Sequence, residues 1–258
     1  MKFKDELLKL NRKVYYYDSL GSTNDQAHIL AGEGAPDGSL VLADSQNAGK
    51  GRMGRSFFSP AGSGIWMSVI LRPEIAPEKA SMLTLVAAAA VQKTMMEFGI
   101  PSGIKWPNDL VADGRKVTGI LTEMRAEPGR VNYIVLGIGI NVNMEEFPEE
   151  LKMIATSMRA ATGKVYDRGE VVRVFLKYFE EDYQKFLDSG NLSFLKETYN
   201  QHLIHRNKLI HIHEIRRIWQ GISKGINDMG ELIVHTDEGD VPVCSGEVSI
   251  RGVYGYIG

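Results

Sequence analysis

The hydrophobic positions of this chain follow two spacings, and together they lay out a sheet with helices against it. Nearly continuous apolar runs at Ser39 to Ala43, Gly64 to Leu71 and Val131 to Ile140 read as buried strands. Val14 to Tyr17 is a shorter β-prone run, and Arg115 to Met124 predicts a further strand. Helical spacing is clearest from Pro77 to Phe98, where Met82, Leu85, Val86, Ala89, Ala90 and Lys93 share a face and Gly99 stands at the C-terminal cap. The alanine run inside it, Ala87 to Ala90, predicts close packing on a sheet. A second long helix opens at Asp167, with Glu170 completing a capping pair, and closes at Gly190. Val171, Val174, Phe175, Tyr178, Phe179, Phe186 and Leu187 make its apolar face. Ser22 with Asp25 predicts a capped helix to about Ala31, and Asn191 opens a short one to about His202.

Turn signals set how the strands connect. Asp113-Gly114 predicts a hairpin, and Glu127-Pro128-Gly129 turns the chain again. Successive hairpins imply a largely antiparallel or mixed sheet in an α+β fold, without repeated βαβ units. From Asn207 the texture changes to short alternating runs between Gly and Asp turns: Lys208 to His213, Ile215 to Ser223, Glu231 to His235, Val241 to Cys244 and Glu247 to Arg251. These predict a small all-β barrel. The expected division is therefore 1–205 and 206–258.

Composition narrows the function classes. A chain of 258 residues suits one large domain, alone or with a small appendage. Lys and Arg number 30 against 32 Asp and Glu, so no global basic field exists to attract nucleic acid. The single cysteine, Cys244, rules out an internal disulfide, favours a reducing compartment and reads as a buried small hydrophobe. The N-terminal MKFKDELLKLNRK has no apolar signal core, and no apolar run approaches bilayer length. A cytoplasmic protein with neither membrane nor nucleic acid as partner is expected.

The candidate chemistry centres on Ala43 to Pro60, where Gly49, Lys50, Gly51, Arg52, Gly54 and Arg55 interleave glycines with cations. Glycines let backbone N–H groups approach an anion, and Lys or Arg neutralises it. The run satisfies G-x-G-x-x-G, but the predicted strand stops early and Arg55 to Gly62 cannot start a long helix, so a dinucleotide fold is excluded. No P-loop motif is present. His211 and His213 alternate onto one strand face without a third ligand, which argues against a metal site.

Five stretches carry a resemblance that extends over essentially the whole chain. They are Ser22-Thr23-Asn24, Gln46 to Arg55, Lys105-Trp106-Pro107-Asn108-Asp109, Lys116 to Leu121, and Gly137 to Asn141. In this order they resemble biotin protein ligases, and Gly246 to Arg251 is similar to that family's C-terminal domain. The resemblance implies a class II synthetase-like catalytic domain followed by an SH3-like barrel. It implies that biotin is activated with ATP and Mg2+ to biotinyl-5′-AMP and passed to a lysine of a biotin carboxyl carrier domain, with no enzyme nucleophile. The glycine loop is expected to close over the adenylate.

By resemblance, Ser22, Thr23, Asn24, Gln46, Lys50, Gly51, Arg52, Lys116 and Gly119 contact biotin. Arg52, Arg55, Phe57, Lys105, Asn108, Lys116 and Asn141 serve ATP. Lys116, Arg52 and Asp109 are the catalytic set, with Asp109 beside the magnesium. A packed indole and a solvated lysine are the competing readings of Trp106 and Lys105. Lys50 stands where many relatives have arginine, and Phe57 where several have tryptophan. Relatives that bind DNA carry an N-terminal domain that the residues before Ser22 are too few to form. Homodimers through the sheet occur among relatives. The competing functions are a lipoate or octanoate ligase of the same fold and a non-catalytic biotin-binding regulator.

Overall fold

The computed structural model describes residues 2–214, 217–245 and 249–252. Seven strands form the main sheet: β1 (Val14–Leu20), β2 (Ser39–Gln46), β3 (Gly64–Leu71), β4 (Ser102–Lys105), β5 (Asp109–Ala112), β6 (Arg115–Glu127) and β7 (Arg130–Asn141). Their order is β1-β2-β3-β7-β6-β5-β4, with β1 and β2 parallel and each later pair antiparallel. The mixed sheet read from the turns is present. Asp113 and Gly114 both take positive φ, 48° and 71°, the geometry a two-residue hairpin requires.

Among the described residues six α-helices accompany the sheet: α1 (Lys2–Leu7), α2 (Thr23–Gly32), α3 (Met82–Glu97), α4 (Met158–Thr162), α5 (Arg168–Ser189) and α6 (Ser193–Gln201). Asp167 caps α5 by accepting from the N–H groups of Gly169 and Glu170, and Gly190 ends it at φ 66°. The helix predicted from Pro77 starts later: Pro77–Lys79 is a 3-10 turn, and α3 runs from Met82. Its alanines lie against the sheet as expected, fully or almost fully buried. Ser22 holds the N-cap position of α2 but makes no side-chain capping bond. α1 was not predicted, because its apolar residues are too few to show a period; Leu7 nevertheless enters the core.

Sheet pleating sorts the core into two faces. Leu40, Leu42, Met67, Val69, Leu136 and Ile138 pack with α3 and α5 on one face. Val41, Ile70, Tyr133 and Val135 meet Ala27 and Ala31 of α2 on the other. Between α3 and α5, the buried carboxylate of Asp182 takes two bonds from Lys93, at 2.6 and 2.8 Å. Lys93, counted on the apolar face from its spacing, thus serves as a counter-ion. Among the described residues, Lys93→Met leaves Asp182 with only Lys185 as an ion-pair partner, 3.9 Å away. A loss of about 2–3 kcal/mol is expected, less than for a fully orphaned charge, which is a Tm drop of roughly 5–10 °C by calorimetry.

The C-terminal strands β8 (Leu209–His213), β9 (Ile218–Ile226), β10 (Leu232–Thr236), β11 (Gly239–Val243) and β12 (Ser249–Gly252) form a second, antiparallel sheet in the order β11-β10-β9-β8-β12. This is the small β unit read from the alternation. Ile215, where one predicted strand begins, and 246–248 lie outside the described residues. The sheet is fixed to the rest of the chain: Trp106 Nε1 donates to Gly230 O at 3.1 Å, and Asn200 bonds both the N–H and the carbonyl of Ile226. Ile210, Ile212, Leu232 and Val234 belong to the same apolar cluster as α3 and α5. Cys244 departs from its sequence reading. It is exposed at the end of β11, its thiol donating to Glu231 at 3.3 Å. Burial, then Glu231, raises its pKa.

Candidate active site

α2 covers only one end of its sheet face, and the other end is hollow. Ladder register places Ser68, Gly137 and Leu121 in one row across β3, β7 and β6, and Trp66, Gly139 and Gly119 in the next. Glycine at three of these six positions removes the side chains that would fill the surface. The glycines inside β7 had signalled a close approach, and the approaching groups prove to be side chains. A Cβ at Gly137 would lie 2.2 Å from Asn24 Oδ1, and one at Gly139 would lie 2.7 Å from the Phe57 ring.

The first turn of α2 and the end of β2 form one wall. Thr23 N–H donates to Gln46 Oε1 at 2.8 Å, and Gln46 Nε2 donates to Ser59 at 2.9 Å, so the Gln46 amide is fixed in orientation. Ser22, Thr23 and Asn24 are almost wholly buried and line the hollow with Gln46.

The glycine loop forms the roof. β2 runs on to Gln46, further than predicted, and the loop returns as a narrow hairpin with Gly51 N–H on Arg55 O and Phe57 N–H on Gly49 O. The loop leads into β3 and no helix opens there, and it is this missing helix, not an early end to β2, that excludes a dinucleotide fold. Lys50 reaches the hollow and pairs with Asp25, which raises its pKa.

The charged end lies beside β5 and β6. Lys116 Nζ is 2.6 Å from Asp109 Oδ1 and 5.6 Å from the centre of the Phe57 ring. Asn108 ties the group together: its Nδ2 donates to Asp109 Oδ1, and its Oδ1 accepts from Arg52 Nη1, both at 3.1 Å. Arg52 Nη2 donates to the carbonyl of Ser245, beyond β11, at 2.5 Å. Burial lowers the Arg52 pKa, while Asp109 opposes that shift. The Trp106–Pro107 bond between β4 and β5 is cis.

The remaining sequence-derived residues are not on the wall of the hollow. Arg55 is exposed at the loop tip. Lys105 is buried in β4; it is neither solvated nor facing the hollow, and with burial and Lys208 it helps push the pKa of His205 down to about 3. Asn141 is buried at the end of β7, its Nδ2 bonded to Thr156 O and its Oδ1 without a partner. Trp66, Ser68 and Leu121 line the hollow or its floor but went unread, since within an apolar strand nothing marks which side chain meets a ligand. Among the described residues no group of three or more His, Cys, Asp or Glu converges as a metal site. A magnesium held by one carboxylate and the phosphates of a nucleotide needs no such group.

A mixed sheet with a recessed, loop-covered face, followed by a small antiparallel unit, is the class II synthetase-like architecture expected from the sequence. Residues 18–141 match the biotin/lipoate A/B protein ligase family, and residues 214–251 match the biotin protein ligase C-terminal domain. The bifunctional ligase/repressor BirA of Bacillus subtilis is 41% identical over 244 residues, 93% of this chain and 75% of that protein. The biotin–[acetyl-CoA-carboxylase] ligase of Paracoccus denitrificans is 30% identical, over 90% of this chain and 98% of that one. The structure of the biotin protein ligase from Aquifex aeolicus in complex with biotin and ATP superposes with a TM-score of 0.82 at 30% identity, covering 93% of this chain and 99% of that one. The chain belongs to the biotin/lipoate A/B protein ligase family.

Proposed function

We infer that this chain is a biotin protein ligase: it activates biotin with ATP and transfers it to a protein lysine. The observation that carries the reading is the polarity of the hollow. One end presents fixed hydroxyl and amide groups from Thr23, Asn24 and Gln46, with Ser68 bonded behind them, and the other presents Lys116 and Arg52, with Asp109 paired to Lys116. Biotin matches that gradient, with a ureido ring that needs partners when desolvated and a carboxylate at the far end of its chain. A lipoyl or octanoyl chain would leave the polar end unpaired, which places the lipoate and octanoate ligases second.

The biotin carboxylate attacks the α-phosphorus of ATP and pyrophosphate leaves. A lysine amine then attacks the acyl carbon of biotinyl-5′-AMP, loses a proton, and AMP leaves. Negative charge gathers at one phosphate in both steps, so fixed cations dominate. In this reading Lys116 spans the carboxylate and α-phosphate, Arg52 holds the phosphate, and the loop from Gly49 to Arg55 shields the anhydride from water. Asp109 would be the protein carboxylate that holds Mg2+, whose charge would offset that of the ATP phosphates. Phe57 stacks near the adenylate, and the unpartnered Oδ1 of Asn141 is an acceptor suited to the adenine amine. Roles for Lys105 and Arg55 rest on resemblance alone. The acceptor is a biotin carboxyl carrier domain, the compartment is the cytoplasm, and the division at 205/206 and a homodimer through the sheet complete the proposal.

The test is pyrophosphate release from ATP and magnesium with biotin, lipoate or octanoate. Release with biotin alone is expected; release with either other acid moves the chain to the sister activity. Gly139→Ala is expected to push Phe57 off its platform and raise KM for ATP about tenfold, with Tm changed by only a few degrees. An unchanged KM would remove Phe57 from the nucleotide site.

A further inference from the structure

Glu123 lies on β6 beyond the hollow, yet an unbroken line of hydrogen bonds runs from it to the floor. Asn24 Nδ2 donates to Glu123 Oε2 at 2.7 Å, and Ser68 Oγ donates to Asn24 Oδ1 at 2.6 Å. Ser68 Oγ and Thr23 Oγ1 are 2.8 Å apart. Thr23, Asn24 and Ser68 are all 4% exposed or less, so bulk water does not reorder their protons.

Valence decides the direction of each bond. A carboxylate only accepts, so the Asn24 atom against Glu123 is the amide nitrogen and the atom against Ser68 is the oxygen. That oxygen has no proton, and Ser68 has one, which therefore goes to Asn24. The short contact between Ser68 and Thr23 is then closed by the proton of Thr23. Gln46 Oε1 accepts from the backbone N–H of Thr23 at 2.8 Å and stands 3.1 Å from Thr23 Oγ1 as a second acceptor, so the Thr23 proton stays between Ser68 and Gln46. Thr23 Oγ1 consequently turns lone pairs, not a proton, toward the hollow. A flipped Asn24 amide would send the Ser68 proton to Thr23 and use one of its lone pairs, and the Glu123 charge, with the Leu121 carbonyl 3.5 Å from Asn24 Nδ2, opposes that flip.

We propose that Glu123 is a positioning residue that fixes the donor–acceptor polarity of the hollow through Asn24, Ser68 and Thr23, selecting ligands that present N–H donors there. The proposal rests on the biotin reading of the site, whose ureido ring carries such donors. The surroundings of Glu123 keep it ionised. His28 Nε2 stands 3.7 Å from the same carboxylate oxygen, and Lys50 and Asp25 lie on the adjoining loop and helix. His28 first, then Asn24 and Lys50, hold its pKa below the usual carboxylate range against desolvation. Gly137 gives the relay its space, since any Cβ there would collide with Asn24 Oδ1.

The experiment is calorimetric titration of the full chain with biotin, without ATP. Glu123→Met, which removes the acceptor, is expected to weaken binding about tenfold or more. Glu123→Gln, which keeps an acceptor oxygen, is expected to stay within about threefold of the parent. Ser68→Ala cuts the relay downstream. Combining it with Glu123→Met is expected to weaken binding by no more than about threefold beyond Ser68→Ala, because a cut relay has nothing to transmit. Multiplicative losses would assign Glu123 a separate structural role and overturn the relay, as would parental affinity in Glu123→Met. If Glu123→Met does not fold, parental affinity in Ser68→Ala overturns it equally. A parent chain that does not bind biotin overturns the ligand reading and the relay with it; a binding parent with unaffected variants overturns the relay alone.

Discussion

Lys116→Ala is expected to abolish biotin-dependent pyrophosphate release, with a rate loss of about a thousandfold or more. Lys116 is the cation placed where the hollow turns from polar wall to charged end, 2.6 Å from Asp109 Oδ1 and above the face of Phe57. Two anions, a carboxylate and the α-phosphate, must approach each other there. A fixed positive charge between them acts mainly on the crowded transition state, and losing one such group costs about 3–4 kcal/mol in comparable sites. Deleting it also removes the cation 2.6 Å from Asp109. Biotin affinity without ATP should fall far less, by about tenfold at most, because the ureido end keeps its partners. The measurement is single-turnover adenylate formation beside equilibrium biotin binding. Retained adenylate formation would remove Lys116 from the catalytic set.

Arg52→Ala is expected to separate the two half-reactions. Arg52 ties the glycine loop to β5 through Asn108 and to the C-terminal unit through the Ser245 carbonyl. The charge-assisted bonds to Asn108 and Ser245 are worth roughly 1.5–3 kcal/mol each when their acceptors are desolvated. Without them the loop loses its anchor and the phosphate its fork. ATP affinity should fall about a hundredfold or more, and adenylate that does form should escape to solution before transfer. Arg52→Lys should recover little, because an ammonium cannot span both acceptors. The check is free biotinyl-5′-AMP in the filtrate after reaction without acceptor. Retention equal to the parent would show that the loop closes without Arg52.

The anchor on Ser245 has a structural meaning of its own. A residue beyond β11 takes a bond from the glycine loop, so the C-terminal unit helps hold the roof of the hollow. Composition placed a boundary near Arg206, but Trp106, Asn200 and Arg52 each cross it. Sequence texture records a change in local spacing; it carries no record of which side chains later meet across the change.

The site was legible where residue types are unusual for their element. Proline and two polar side chains in Pro107 to Asp109, and cations among glycines in Gly49 to Arg55, serve no core purpose and so stood out. Ser68 and Trp66 did not, because an apolar strand tolerates either for packing alone. Lys105 misled for the opposite reason: a lysine in a polar motif reads as exposed or ligand-facing, yet β4 pleating turns it into the protein. Ser22 looked like a helix cap, and only the fold shows its side chain spared from that task.

The sequence alone determined most elements of this protein, though not α1, α4, β4 or β5, and the chemistry it could offer. Period-two and helical spacing, Asp113-Gly114 and the caps of α5 depend on contacts within a few residues, so local physics suffices to read them. Tertiary structure alone decided the rest. Strand order and register set Gly119, Gly137 and Gly139 side by side to hollow the sheet, and joined Glu123 to Thr23 through Asn24 and Ser68. Those relations join residues far apart in the chain, and the pairing of strands, which no local spacing encodes, brings them into contact.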